Sequence, residues 1–404
     1  MKKLGLVVAL GLGLAGCVED GMDGAAGQNG TPGQDGTDGS DGTNGTNGTD
    51  GTPGPAGPQL PTPGVYTLSN AAGPNQVAAY VRATNGNLSR KGRFDTGGAG
   101  LGAGLGSQGA LVFDTKLQRF FAVNTGDDSI SMLELDTDGS LKTLSTVPSG
   151  GVRPVSITVH DGVVYVANQG DITATAVNAT ISGFRVEGND LVGIAGSIQN
   201  LSATTDVHPT DIAFSPDGGA VVVAERFANK LDTFKLVAGV AQPGSFQASA
   251  GMQPFAFDWS PEGFLVVAEV GPGTPNGSSV SSYALGADGA LTPVTSHLAT
   301  GQTAACWLAV AGGYAYVANA ASANLTGITI AEDGVLSLHD ASGITATTAA
   351  GSTDLAVTPD RGFLYALAGN PKSIYIFAIT ADGGLTPMSS LAMTLPSVTG
   401  LVAR

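Results

Sequence analysis

The sequence predicts an all-β body of seven four-stranded units closed into a ring, and three observations carry that prediction. Beyond Pro63 no stretch sustains helical periodicity; short Val, Ile, Phe and Tyr runs are separated by turn dipeptides instead. A unit of roughly 45 to 55 residues recurs, each copy ordered as apolar run, turn and three further strands. The two ends of the body are complementary. Val65 to Phe94 supplies three strands and no inner one, while Val398 to Ala403 supplies an inner strand with nothing after it.

Composition limits the function classes. The 404 residues include 61 Gly, and only 12% are charged, against roughly 25% in an average soluble domain. With 17 basic and 33 acidic residues the net charge is −16, which argues against a nucleic-acid partner, because that grip comes from neutralising phosphates with basic side chains. No basic cluster is expected beyond Lys2 and Lys3. Two cysteines exclude a disulfide framework.

Residues 1–17 read as an export address. Lys2 and Lys3 precede the eleven-residue apolar run Leu4 to Leu14, too short to span a bilayer of roughly 30 Å as a helix. The run closes on Leu14, Ala15, Gly16 and Cys17, which resembles a bacterial lipobox, so Cys17 is the expected lipidation site. Multiple acyl chains anchor stably where one does so only marginally. By analogy with lipoprotein sorting, Val18 in place of Asp points to the outer membrane. The cell envelope, periplasmic or surface-exposed, is the expected location.

Residues 18–64 read as a collagen-like stalk. From Gly21 to Gly57 glycine recurs at every third position for thirteen triplets. That period is the sequence condition for a triple helix, since only Gly fits at its crowded axis. Proline is sparse and Thr, Asp and Asn fill most other positions. Two readings therefore stand: a triple helix that makes a homotrimer, or a flexible spacer.

Residues 65–404 form the repeated body. Inner strands are expected to start near Gln108, Arg153, His208, Gln253, Ala305, Thr353 and Val398, one four-stranded blade for each, giving a seven-bladed β-propeller closed by pairing of the N- and C-terminal strands. Closure removes the open sheet edge that invites aggregation.

The phrases Val-Tyr-Val-Ala-Asn (Val164 to Asn168) and Tyr-Ala-Tyr-Val-Ala-Asn (Tyr314 to Asn319), with Ser-Pro-Asp-Gly at Ser215 to Gly218 and Asp-Gly-x-Leu-Thr at Asp288 to Thr292, carry a resemblance. They look like the lactonase-type seven-bladed propellers, related to propeller 6-phosphogluconolactonase and fungal muconate-lactonising enzymes. The resemblance implies the propeller fold and, more weakly, opening or closing of a lactone, with no cofactor or metal.

Strand direction puts the starts of inner strands and the ends of second strands on one rim. Arg153, His208 and Gln253 belong to the first set; Asn124, Asn168, Glu225, Arg226, Glu269 and Asn319 to the second. Lactone hydrolysis needs a base and positive groups that hold an acid and stabilise an oxyanion. Glu225, Glu269 or His208 is the candidate base, Arg153 and Arg226 the clamp, and Asn168, Gln253, Asn319 and Asn124 the candidate substrate contacts. The resemblance implies a His, Arg and Glu set, matched in kind by His208, Arg226 and Glu225. The competing reading makes the Glu and Arg residues ion pairs between blades and His208 a turn cap.

His160, His297 and His339 are expected in turns or outer strands, and Cys306 as a buried, inert residue. The Gly97 to Gly109 stretch reads as a flexible lead into the second blade, without the features of a phosphate loop. The expected ligand is a small acidic lactone. The rival function is a non-catalytic surface propeller that binds a protein or glycan.

Overall fold

The computed structural model describes residues 62–171, 177–203, 206–369, 372–395 and 397–404. The expected anchor at Cys17 and the Gly-X-Y segment lie outside these residues. The described strands form seven antiparallel sheets, each running outward from one inner strand, with no helix among the described residues.

The inner strands are Thr399–Ala403, Leu111–Asp114, Pro154–His160, Pro209–Phe214, Pro254–Trp259, Ala305–Val310 and Ser352–Val357, in blades one to seven. Blade one is closed as expected: Thr399–Ala403 pairs antiparallel with Gly64–Leu68, from Val65 opposite Ala403 to Leu68 opposite Thr399. Most second strands are apolar and buried up to a polar last residue, as Val163–Asn168, Ala220–Glu225 and Tyr314–Asn319 show. Both faces of each sheet pack on neighbouring blades, so a period-two polar stripe would bury unpaired polar groups.

Adjacent inner strands are bridged by side chains. Ser156 Oγ accepts the Ile212 amide at 3.2 Å, Asp211 Oδ2 the Phe257 amide at 3.1 Å, and Asp258 Oδ2 the Val310 amide at 2.9 Å. Each carboxyl thus satisfies a backbone donor in the next blade. Burial raises the carboxyl pKa of all three channel aspartates, Asp211 to about 7, with Asp258 and Asp354 also shifted upward.

Three sequence expectations need correction. Gly97 to Gly100 completes the outer strand Leu88–Gly100 of blade one, and the residues beyond Gly100 form a channel plug rather than a loose lead. Ser107 Oγ donates to Val155 O at 2.8 Å and the Gln108 amide to Thr210 O at 2.8 Å; from the far side Trp307 Nε1 donates to Ser107 O at 3.1 Å. One short segment therefore bonds blades three, four and six, which only a segment inside the ring can do. A basic cluster also exists: Arg90, Lys91 and Arg93 share the edge strand of blade one, where charge protects a free edge. Finally, His160 ends the inner strand of blade three instead of lying in a turn or outer strand.

Candidate functional site

The rim above the plug is built by a repeated local device. The residue just before the inner strand adopts a left-handed conformation: φ is 56° at Arg153, 50° at His208, 58° at Gln253 and 59° at Ala304. For a residue with a Cβ this conformation carries strain, so it persists only where the surroundings hold it. They do so through the backbone amide. Asp128 Oδ1 accepts from Arg153 N at 2.7 Å, Asp206 Oδ1 from His208 N at 3.0 Å, and Asn229 Oδ1 from Gln253 N at 2.5 Å.

Residues following the second strands reach forward to these positions in the next blade. Thr125 Oγ1 donates to Pro154 O at 2.6 Å; Gln169 Nε2 lies 2.7 Å from His208 Nδ1; Arg226 Nε donates to Gln253 Oε1 at 3.1 Å. The last residues of the second strands, one position earlier, point the other way, as strand alternation requires. Asn124 Nδ2 donates to Ser129 Oγ at 3.0 Å and Ser131 Oγ at 2.8 Å. Asn168 Nδ2 donates to Ser182 Oγ at 3.0 Å, and Asn319 Nδ2 to Asn324 Oδ1 and Thr326 Oγ1, both at 2.8 Å.

Glu225 and Glu269 occupy the same repeat position. Glu225 accepts the Ser202 amide at 2.8 Å and the Ser202 hydroxyl. Glu269 accepts the Gly251 amide at 2.8 Å, Ser249 Oγ at 3.2 Å and the Ser279 hydroxyl. Both are completely buried. Each fastens the segment arriving from the preceding blade, and no substrate reaches either carboxylate while that segment is in place.

The structure therefore brings together His208, Arg153, Arg226 and Gln253 at one mouth, and places Asn124, Asn168, Asn319, Glu225 and Glu269 behind it as fasteners. Gln169, Asp206 and Phe227 join the mouth, and Met252 precedes Gln253 on the same rim. Strand alternation was the available signal for Gln169, which occupies in blade three the position of Arg226 in blade four.

The electrostatics of the mouth are cationic. Arg226 is only 7% exposed, and its guanidinium lies 5.5 Å from the centre of the Phe227 ring and 5.7 Å from that of Phe255. Among the described residues neither the Arg153 nor the Arg226 guanidinium has a carboxylate oxygen within 4.0 Å. Two guanidiniums that form no ion pair, Arg226 largely desolvated and Arg153 near enough to Asp206 to favour its charged form, make a receptor for an anion.

Burial lowers the His208 pKa to about 4, and the positive charges of Arg226 and Arg153 add to the shift. The imidazole is neutral at physiological pH, stacked on Phe227 with 4.6 Å between ring centres. As oriented, Gln169 donates to Nδ1 and leaves the proton on Nε2. A half-turn of the amide reverses both roles and frees Nε2 as an acceptor.

The second opening of the ring lies on the opposite face. There a cavity of about 310 Å³ is lined by Gln108, Asp258, Asp354 and the ends of inner strands, with the plug between it and the mouth. Among the described residues no three His, Cys, Asp or Glu side chains are grouped to hold a metal.

A seven-bladed propeller with a polar mouth on one face and a plugged axis is the class of protein that fold and site define. Its structural neighbours are 6-phosphogluconolactonase-like propellers. A candidate 6-phosphogluconolactonase from Bacteroides uniformis superposes with a TM-score of 0.68 at 17% identity, covering 85% of this chain and 100% of its own. The periplasmic gluconolactonase PpgL of Pseudomonas aeruginosa gives 0.65 at 17% identity, covering 83% and 98%. A candidate 6-phosphogluconolactonase from Bacteroides fragilis gives 0.61 at 16% identity, covering 84% and 98%. Likeness at such identities establishes the fold. No protein-family model and no curated protein matches the chain.

Proposed function

We propose that the mouth formed by blades three to five binds a small acidic lactone or its hydroxy acid, and that the protein hydrolyses such a lactone. The observation that carries this reading is the pair Arg153 and Arg226, which flank a neutral imidazole and whose guanidiniums form no ion pair among the described residues. The lactonase-like neighbours supply the reaction class.

In the proposed reaction, a water oxygen attacks the lactone carbonyl carbon while His208 Nε2 takes a proton from that water, with Gln169 accepting from Nδ1–H. The guanidiniums hold the substrate acid and the developing oxyanion. The acyl carbon–oxygen bond of the ring then breaks, and the departing alkoxide takes the proton from Nε2. An imidazole with so low a pKa is a weak base, so activated ring esters suit it better than ordinary esters or amides.

Turnover of a panel of acidic lactones by the full chain tests this reading. Hydrolysis that falls in His208→Ala and Arg226→Gln is expected; no hydrolysis, or rates unchanged in both variants, overturns the catalytic assignment. A second reading is a non-catalytic binding propeller, favoured by the sealing of both Glu225 and Glu269 away from the mouth. Acid binding without turnover in the same assays selects it.

The lipoprotein address adds a proposed setting. Cys17 acylation would tether the propeller to the outer membrane, and the Gly-X-Y segment would hold it off the surface by roughly 120 Å if extended at ~3.1 Å per residue. Palmitate labelling that disappears in Cys17→Ser is the expected result, and retained label overturns it. A trimeric mass in solution would select the triple-helical stalk over the spacer.

A further inference from the structure

The polar groups at the mouth are largely engaged with one another. The Gln169 amide is bonded to His208, Gln253 Oε1 accepts from Arg226, and Asn168 turns back into its own blade. A polyhydroxylated sugar acid entering here would shed water from its hydroxyls and find few free partners, a loss that discriminates strongly against such ligands.

Apolar surface is left uncovered beside the guanidiniums. Phe227 is 42% exposed and Met252 is 55% exposed. Each adjoins a mouth residue in sequence, Phe227 following Arg226 and Met252 preceding Gln253. Phe227 is also held rigidly. One side of its ring stacks on His208, interplanar angle 28°, and the Arg226 guanidinium lies within cation–π range. A fixed aromatic edge beside an unpaired cation is a receptor with two parts, one for an acid and one for an apolar body.

We propose that the mouth selects acids and acidic lactones carrying an aromatic or alkyl face over polyhydroxylated sugar acids, with Phe227 and Met252 as the specificity-determining residues. The proposal rests on the reading of this mouth as an acid-binding site. The acid group sits with Arg153 and Arg226, and the apolar face covers Phe227 and Met252. The ligand class is therefore an aryl- or alkyl-substituted lactone acid.

Calorimetric titration of the full chain with 3-phenylpropanoate and D-gluconate, which carry the same charge and differ in their faces, tests it. The phenyl acid is expected to bind about ten-fold more tightly or better, given ~25 cal/mol per Å² of apolar surface covered. In Phe227→Ser and Met252→Ser that preference should shrink to roughly three-fold or less, and Phe227→Leu should retain part of it. Equal or tighter binding of gluconate by the parent protein, or an unaltered preference in all three variants, overturns the proposal and leaves the acid mouth standing. Binding of neither acid, or binding of both undiminished in Arg153→Gln and Arg226→Gln, overturns the acid mouth itself.

Discussion

Gln169 in blade three meets His208 in blade four with 2.7 Å between its amide nitrogen and Nδ1. The contact joins two blades and ties the imidazole tautomer to the orientation of the Gln169 amide. With Phe227 stacked on the ring and Arg226 beside it, His208 is held between a residue 39 positions earlier in the chain and a consecutive pair that follows it.

That setting predicts an unusual pH profile. His208 titrates at about 4 because burial, then Arg226 and Arg153, disfavour its charged form. Activity that needs the neutral imidazole should have its acid limb near pH 4, well below that of an ordinary histidine. Gln169→Ala opens the site to water and should move the limb upward. The pH dependence of kcat/KM, or an NMR titration of the His208 ring protons, reads it directly. A limb near 6.5 in the parent protein contradicts the assignment.

Blade four contains a second charge arrangement with a consequence for stability. Asp232 is buried close to the Glu225 carboxyl, so that the two negative charges disfavour each other. Burial first, and then this neighbour, raise Asp232 to about 10. The folded state therefore keeps a proton that the unfolded chain releases near pH 4, so the contribution is complete in acid and is lost as pH rises towards 10. Thermal melting of the parent protein should weaken steadily from pH 5 to 9. Asp232→Asn should show a flatter profile and a higher Tm at about pH 9. Parallel profiles for the two proteins would show that the Asp232 proton has no such effect.

Most of the fold is legible in the sequence because a propeller repeats one local pattern. The inner strand of blade six starts at Ala305, as the repeat predicts, and those expected at Arg153, His208 and Gln253 start one residue later, at Pro154, Pro209 and Pro254. The site is less legible. Glu225 and Arg226 are neighbours in sequence and share one expected place at the mouth, yet alternation sends one backward to Ser202 and the other forward to Gln253. The plug escapes sequence reading because Gly97 to Gly109 has no periodicity. Its course depends on partners about 200 positions away, such as Trp307.

Trp307 tests the plug. Its ring is almost fully buried, packs edge-on against Phe255 with ring centres 5.2 Å apart, and donates to Ser107 O. Trp307→Phe keeps most of the packing and orphans the carbonyl, at a cost of about 1–3 kcal/mol. Trp307→Ala adds a cavity and should cost about 3–5 kcal/mol. Amide exchange at Ser107 and Gln108 should accelerate in both variants before global unfolding. Protection equal to that of the parent would mean that the segment is held by other contacts.

Gly251 separates a structural carboxylate from a catalytic one. Its amide donates to Glu269 Oε1 at 2.8 Å, and a Cβ at this position would collide with the Glu269 carboxylate and crowd Ser279 Oγ. Gly251→Ala should therefore destabilise the protein by about 1–3 kcal/mol, the usual range for overpacking a filled interior. Glu269→Gln should also lower the Tm, because its amide nitrogen would face donors where the carboxylate now accepts three hydrogen bonds. If Glu269 is only a fastener, lactone turnover per folded molecule, measured well below the melting transition, stays within about two-fold of the parent in both variants. A kcat reduced a hundred-fold at unchanged folded fraction would instead bring Glu269 into the reaction. That outcome would require the segment carrying Gly251 to lift away from it during turnover.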